Sequence, residues 1–410
     1  MKKIILAIVF LTVNFFGQAQ FGNILDNAKK KAEEKVNKKF DDTTNKKTDD
    51  TKSNNEISSD ASSGNNSSAG TSTGIKAYSK FDFVPGDKIV VMEDFMQDAV
   101  GDFPDKWNTN ASGETVTIEG KPGHWLMLNK QGIFMPEFID SLPDNFTFEF
   151  DLLCDNPGKA WSLYSSIAAL EDRNHPENWQ SAPSRFTFTV APQPDNNSSS
   201  MIERRKNGVG EASTSTSTKK FSDKTKPVHV AVWRQKERVR VYFDEEKVWD
   251  LPKAMANDAK YNSIVYWMQG AADGVNYYLT NLRLAVGAPD TRNKLLTEGK
   301  WVTHGILFDV NSATIKSESY GTLKEIAGVL KENTDVKVKI IGHTDADGDD
   351  KSNMDLSKRR AASVKEFLSK EFSIDESRME TDGMGESKPV DKNTTPAGKA
   401  NNRRVEFIKI

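Results

Sequence analysis

Apolar and polar positions alternate along Val336-Lys-Val338-Lys-Ile340, so one face of an extended segment is buried and the other is wet. Gly342 ends that strand, and a polar turn with Asp345, Gly348 and Asn353 follows. A helix is predicted from about Leu356-Ser357, where Ala361, Val364, Leu368 and Phe372 recur three or four residues apart as one apolar stripe. Around this unit the pattern predicts a strand near 305–308 and a helix carrying Leu323, Ile326, Ala327 and Leu330. A strand near 378–383 and a last strand over 404–408 complete it. The alternation of strands and helices over 301–410 reads as an α/β sandwich.

Residues 76–288 have a different rhythm. Short runs rich in β-branched and aromatic residues fall at 88–92, 114–118, 125–128, 146–153, 185–190, 228–233, 238–243, 263–268 and 277–285, separated by turn clusters. Such spacing predicts an antiparallel β-sandwich. Residues 289–300 read as a connector that Leu295 and Leu296 partly order.

The first 75 residues carry three further patterns. Met1-Lys2-Lys3, an apolar run to Phe16 and small residues at Gly17 and Ala19 have the form of a secretory signal peptide over 1–19. The run is short for a membrane span. From 20 to 40, Ile24, Leu25, Ala28, Ala32, Val36 and Phe40 recur at helical spacing among lysines and glutamates. That amphipathic segment fits either a contact with a membrane surface or partner, or a marginal solvated helix. Residues 41–75 are rich in Ser, Asn, Asp, Thr and Gly and offer too little apolar surface to fold, so a disordered linker is expected.

Composition narrows the function. A net charge of −3 with 28% charged residues argues against a nucleic-acid partner. The single cysteine, Cys154, lies in an apolar run and reads as a small buried side chain rather than a nucleophile. The five histidines lack metal-ligand spacing, and no cofactor or metal is expected. Asp345, Asp347 and Asp349 have the odd-position spacing of a calcium loop, but Asp350 and Leu356 stand where an EF-hand needs Gly and Glu.

The chemistry concentrates at Asp345, just past a strand end, and Arg360, in the first turns of the next helix. Aspartate accepts from an ammonium, and arginine presents a planar fork to a carboxylate. An amino-acid head group carries both charges on one carbon. The spacing also fits a structural Asp–Arg pair that caps the turn.

The motif G-H-T-D-x-x-G from Gly342 to Gly348, followed by Asn353, Leu356-Ser357 and Arg360-Ala361, resembles the OmpA-like peptidoglycan-binding domain. The likeness extends upstream to Phe308-Asp309-Val-Asn311 and downstream to Gly383-Met-Gly385 and Asn402-Arg403-Arg404-Val405-Glu406-Phe407. In that family the H-T-D aspartate and the L-S-x-x-R-A arginine hold the amine and carboxylate of diaminopimelate in the peptide stem. The resemblance therefore implies those roles for Asp345 and Arg360, with supporting contacts at Asp309, Asn311, Thr344, Asn353 and Arg404. It also implies a periplasmic, outer-membrane-associated protein whose partner is peptidoglycan.

The hairpin of 228–233, 238–243 and 247–249 is similar to part of a concanavalin/laminin-G jelly roll, with Glu245 where a turn glycine is usual. Seven tryptophans between Trp107 and Trp267 could stack on sugars, but their scatter favours core burial. Glu149-Phe-Asp151 resembles the start of a laminarinase-type catalytic strand, yet Leu153 and Cys154 occupy the place of the second acid that retaining chemistry needs. The expectation is thus a multidomain chain: signal peptide, disordered stalk, jelly-roll-like sandwich, and a C-terminal α/β sandwich of the OmpA-like type. It tethers non-covalently rather than catalyses. The alternative is a carbohydrate-binding or glycoside-hydrolase sandwich that its C-terminal domain localises to the wall. A glycan or protein ligand for the sandwich and an outer-membrane partner for 21–40 stay open.

Overall fold

Phe148, Phe150 and Leu152 alternate with Glu149 and Asp151 along the Asn145–Cys154 strand, and the two sets face opposite ways. The apolar set enters the core between two sheets, where the Phe150 ring meets Tyr266 of the opposite sheet edge-on at 5.3 Å. The acidic set faces outward, towards the C-terminal domain. This period of two builds the sandwich and aims its charged groups at the same time.

The computed structural model describes residues 81–270, 274–287 and 290–410. The expected signal peptide, amphipathic segment and linker lie outside the described residues. The larger sandwich sheet runs from Glu246–Leu251 through Arg238–Phe243, Val228–Gln235, Asn145–Cys154, Tyr277–Val286 and Trp125–Leu128 to Gly113–Val116, with Lys88–Glu93 also pairing Tyr277–Val286. The second runs from Val209–Thr218 through Ser198–Lys206, Ser184–Val190, Leu163–Ala169, Ser263–Met268 and Gly132–Pro136 to Trp107–Thr109. Pairing within both sheets is antiparallel. At the turn of the sequence-predicted hairpin, Asp244 takes the left-handed conformation (φ 49°), so no glycine is needed at 245.

The C-terminal sheet has the order Lys300–Thr303, Val405–Lys409, Val338–Gly342, Met379–Gly383. The central pair is antiparallel and the last pair parallel. Its helices are Tyr320–Glu332, Asp350–Phe372 and Pro396–Asn402.

One expected strand is corrected here. The segment at 305–308 is not a sheet strand; it makes one bridge, Phe308 to Ile315. Gly305 is wedged where a Cβ would lie 2.3 Å from Thr322 Oγ1 and 2.7 Å from Pro85, and this packing takes the chain off the sheet. The edge strand comes earlier, at Lys300–Thr303, with Trp301 stacked on Phe407 at 5.4 Å. The connector holds a short helix, Thr291–Leu296, which Asp290 caps by accepting from the Asn293 N–H.

The helix expected near 356 starts at Asp350. Asp349 accepts from the Ser352 N–H at 3.0 Å and caps it. The extra turns are mostly exposed, so no apolar stripe marks them. The inward face is Asn353, Ser357, Ala361, Val364, Leu368 and Phe372. The helix closes on the strands because Gly342 and Gly383 lack side chains: a Cβ at Gly342 would sit 2.3 Å from the Ser357 carbonyl oxygen.

The sandwich and C-terminal domain are docked. Phe81, Phe83 and Val84 cover Ala231, Trp233 and Tyr242 on the outer face of the larger sheet. The Asn401 amide bonds both the N–H (3.0 Å) and the C=O (2.9 Å) of Ile89, in the manner of a neighbouring strand. Ile89, Ala285 and Ala400 pack together beside it.

Candidate functional site

Between the outer face of the larger sheet and the C-terminal domain lies a cavity of about 600 Å³. Asp345 and Arg360 both line it. Asp345 follows the Val338–Gly342 strand and is buried. One of its oxygens accepts from Arg403, and the other from the Asp347 N–H at 3.3 Å. Arg360 projects from the Asp350–Phe372 helix, donates from Nε to the Ser312 carbonyl at 3.0 Å and lies over the Phe308 ring at 4.9 Å. Its two terminal nitrogens make no hydrogen bond among the described residues. Burial first, then the nearby Arg403 charge, lowers the Arg360 pKa, with Asp345 opposing. An arginine starting above 12 stays charged.

The supporting residues divide. The Asn353 side-chain amide donates to the Asp347 carbonyl (3.1 Å) and the Glu386 carboxylate (2.6 Å), which ties the loop to the helix. Thr344 lines the cavity, and its buried Oγ1 has no partner among the described residues. An orphaned buried hydroxyl costs stability unless something completes it, which fits a ligand-facing position. Asn311 stands on the rim in the left-handed conformation, φ 52°. Asp309 is exposed and does not line the cavity; its backbone N–H bonds the Thr314 carbonyl.

Arg404 touches the cavity, but its guanidinium is committed to Glu406 at 2.8 Å and to the Lys388 carbonyl at 3.0 Å. Burial alone would raise the Glu406 pKa, yet His343, Lys300 and Arg404 outweigh it and hold that carboxyl well below the usual range. Arg404 thus fastens the sheet floor. The residue the sequence reading missed is Arg403, whose side chain is 42% exposed and pairs with Asp345. The parity of the following strand was the available signal: adjacent arginines at a strand entrance face opposite ways. In the acidic loop, Asp347 pairs with Lys399 at 2.8 Å and Asp349 is the helix cap.

The sandwich supplies the opposite wall. Arg283 grips Glu149 with Nε (3.0 Å) and Nη2 (2.5 Å). His229 bridges Glu149 (3.2 Å) and Asp151 (2.8 Å), and Asn281 donates to the other Asp151 oxygen at 2.7 Å. Burial pulls the His229 pKa down, but hydrogen bonds and charge from Asp151 and Glu149 outweigh it and raise it to about 10. The ring is therefore an imidazolium donating from both nitrogens. Glu149 is spent on these partners, and buried Leu153 occupies the place a second catalytic acid would need. Of the seven sandwich tryptophans, Trp107, Trp125, Trp179, Trp233 and Trp249 are buried, Trp267 is part-buried and Trp161 is 57% exposed.

In this four-stranded α/β unit an acid and an arginine face one cleft. Residues 307–403 match the OmpA family, and this span is an OmpA family domain. The chain is 38% identical over 145 residues to the probable lipoprotein YiaD of Escherichia coli, covering 33% of this chain and 64% of that protein. It is 39% identical over 101 residues to outer membrane porin F of Pseudomonas aeruginosa, covering 25% and 29%. Among solved structures, the peptidoglycan-associated lipoprotein of Burkholderia pseudomallei is similar at 26% identity, over 30% of this chain and 98% of that one, with a TM-score of 0.25. The chain spans less than two thirds of the length of these two curated relatives.

Proposed function

We propose that this chain is a non-covalent tether of the Gram-negative envelope, whose C-terminal domain grips the diaminopimelate of peptidoglycan stem peptides. One observation carries the reading. Asp345 and Arg360 face one cleft without pairing with each other, so an acceptor and a fork of donors stand ready for an ammonium and a carboxylate on the same carbon. The ligand amine shares Asp345 with Arg403, and its carboxylate takes the free terminal nitrogens of Arg360. Thr344 Oγ1 gains the partner it lacks. Asn353 keeps the loop in place, and Asn311 closes the rim. The work is binding, and the named relatives, an outer membrane porin and a probable lipoprotein, agree with a place in the periplasm at the outer membrane.

The test is co-sedimentation of the chain with sacculi. Diaminopimelate-type sacculi should carry it down. Sacculi with lysine at the same stem position lack the head-group carboxylate and should not. Equal sedimentation with both would overturn the diaminopimelate assignment.

A further inference from the structure

The cleft is larger than one amino-acid head group requires. At about 600 Å³ it is within the range that takes a drug-sized molecule or short peptide, roughly 300–1,000 Å³. The C-terminal domain provides only part of the lining. Glu149, Asp151, His229, Asn281 and Arg283 of the sandwich provide a wall across from Asp345 and Arg360.

That wall is fixed in place. Asn401 clamps Ile89, and Arg283 donates to the His304 carbonyl at 3.4 Å, so the two domains hold the cleft between them. The wall also has unspent hydrogen-bonding capacity. Each oxygen of Asp151 accepts one hydrogen bond, from His229 or Asn281, which leaves about two of its four lone-pair sites. Its side chain is 25% exposed. Lys316 lines the same cavity from the C-terminal domain, is exposed, and makes no ion pair among the described residues. Its charge helps keep Asp151 ionised. Glu149, by contrast, accepts three hydrogen bonds from Arg283 and His229 and is almost wholly buried, so it is the strut behind the wall.

We infer that the sandwich is the second half of the peptide site: Asp151 accepts a backbone amide N–H of the stem peptide, and Lys316 donates to a neighbouring carbonyl or carboxylate oxygen. This rests on the proposed function and extends it from the diaminopimelate head group to the peptide that carries it. The two domains then read one ligand from two sides, and the sandwich acts as a specificity wall.

The experiment is calorimetric titration of the full chain with two ligands, free diaminopimelate and the stem tripeptide that ends in it. Wild type, Asp151→Asn and Lys316→Ala are compared. Wild type should bind the tripeptide about tenfold tighter than the free amino acid, the scale of one charge-assisted hydrogen bond. Each variant should lose roughly three- to tenfold for the tripeptide and stay within about twofold of wild type for diaminopimelate. Lys316 is exposed, so its variant keeps the fold even if Asp151→Asn disturbs the His229 cluster. Tripeptide binding unchanged in both variants, with diaminopimelate still bound, would overturn this inference and leave the head-group reading standing. Equal loss of both ligands would show that the residues act through the fold, which also overturns it. Failure of wild type to bind either ligand would overturn both.

Discussion

Asp345 is paired with Arg403 and not with Arg360, although both Asp345 and Arg360 line the same cleft. A direct Asp345–Arg360 bridge would have satisfied both groups and closed the site. Instead each keeps part of its hydrogen-bonding capacity, with Arg360 steadied from behind by the Ser312 carbonyl and the Phe308 ring. Preorganised groups of this kind bind without a reorganisation cost.

The three arginines near this point should separate cleanly. Arg359 is half-exposed and bonds Asp355 on its own helix at 2.7 Å, so Arg359→Ala should leave sacculus binding within about twofold. Arg403→Ala should have an intermediate effect, under about tenfold, because half-exposed Arg403 shares Asp345 with the ligand rather than gripping the ligand alone. Sedimentation isotherms for each variant give the order. A larger loss from Arg359→Ala than from Arg403→Ala would contradict the geometry.

Gly342→Ala should destabilise the C-terminal domain by about 1–3 kcal/mol through overpacking. The new Cβ would meet the Ser357 carbonyl oxygen at 2.3 Å, and a backbone atom held in a helix cannot step aside cheaply. Thermal melting would register this as a lowered midpoint; an unchanged midpoint would mean the strand and helix are not seated this closely.

Arg283→Ala should cost about 3–5 kcal/mol, because it strands buried Glu149 with only His229 as a charged partner. Arg283→Ala combined with Glu149→Gln should recover part of that loss, since the uncompensated charge goes too. Chemical denaturation of the single and double variants checks the sign of the coupling.

The same cluster sets a pH dependence. His229 is raised from 6.5 to about 10, so the folded state holds a proton that the unfolded chain gives up earlier. Its stabilising contribution is complete below about pH 6.5 and is lost as pH rises towards 10. For Glu149 and Asp151, burial opposes ionisation, but Arg283 and His229 for the first, and His229, Asn281 and Lys316 for the second, hold the pKa values low. Their contribution is present above the ordinary carboxylate range near pH 4 and is lost on acidification. The melting temperature should therefore fall from pH 7 to pH 10, and His229→Gln should flatten that fall. An identical slope in wild type and variant would remove His229 as the cause.

The sequence disclosed the C-terminal domain well because its signals are local. The alternation before Gly342 and the stripe at Ala361, Val364, Leu368 and Phe372 each declare one element. The helix start at Asp350 stayed hidden behind five polar residues and a lone Met354, whose only mark is the Asp349 cap. In the sandwich, Ser198–Lys206 and Val209–Thr218 were missed, since serine, threonine and charge fill both and look like loop; only the second is a largely exposed edge. The Glu149–Asp151 pair was visible, but His229 and Arg283 lie 80 and 134 residues from Glu149, and only strand pairing brings them together. The docking of the two domains was not legible either, because Asn401 and Ile89 are 312 residues apart and neither carries a motif for the contact.

The most direct measurement of the central claim is sedimentation of the full chain with diaminopimelate-type sacculi, comparing wild type with Asp345→Ala and Arg360→Ala. Each substitution leaves one charge of the head group unmatched, which typically costs about 2–5 kcal/mol, or roughly thirtyfold or more in affinity. Arg360→Lys should also fail, because an ammonium cannot make the forked contact. Circular dichroism should show all three variants folded, since Asp345 and Arg360 sit at the cleft rather than in the apolar core. The account predicts that wild type sediments and that Asp345→Ala and Arg360→Ala both stay largely in solution. Wild-type sedimentation by both variants would contradict it.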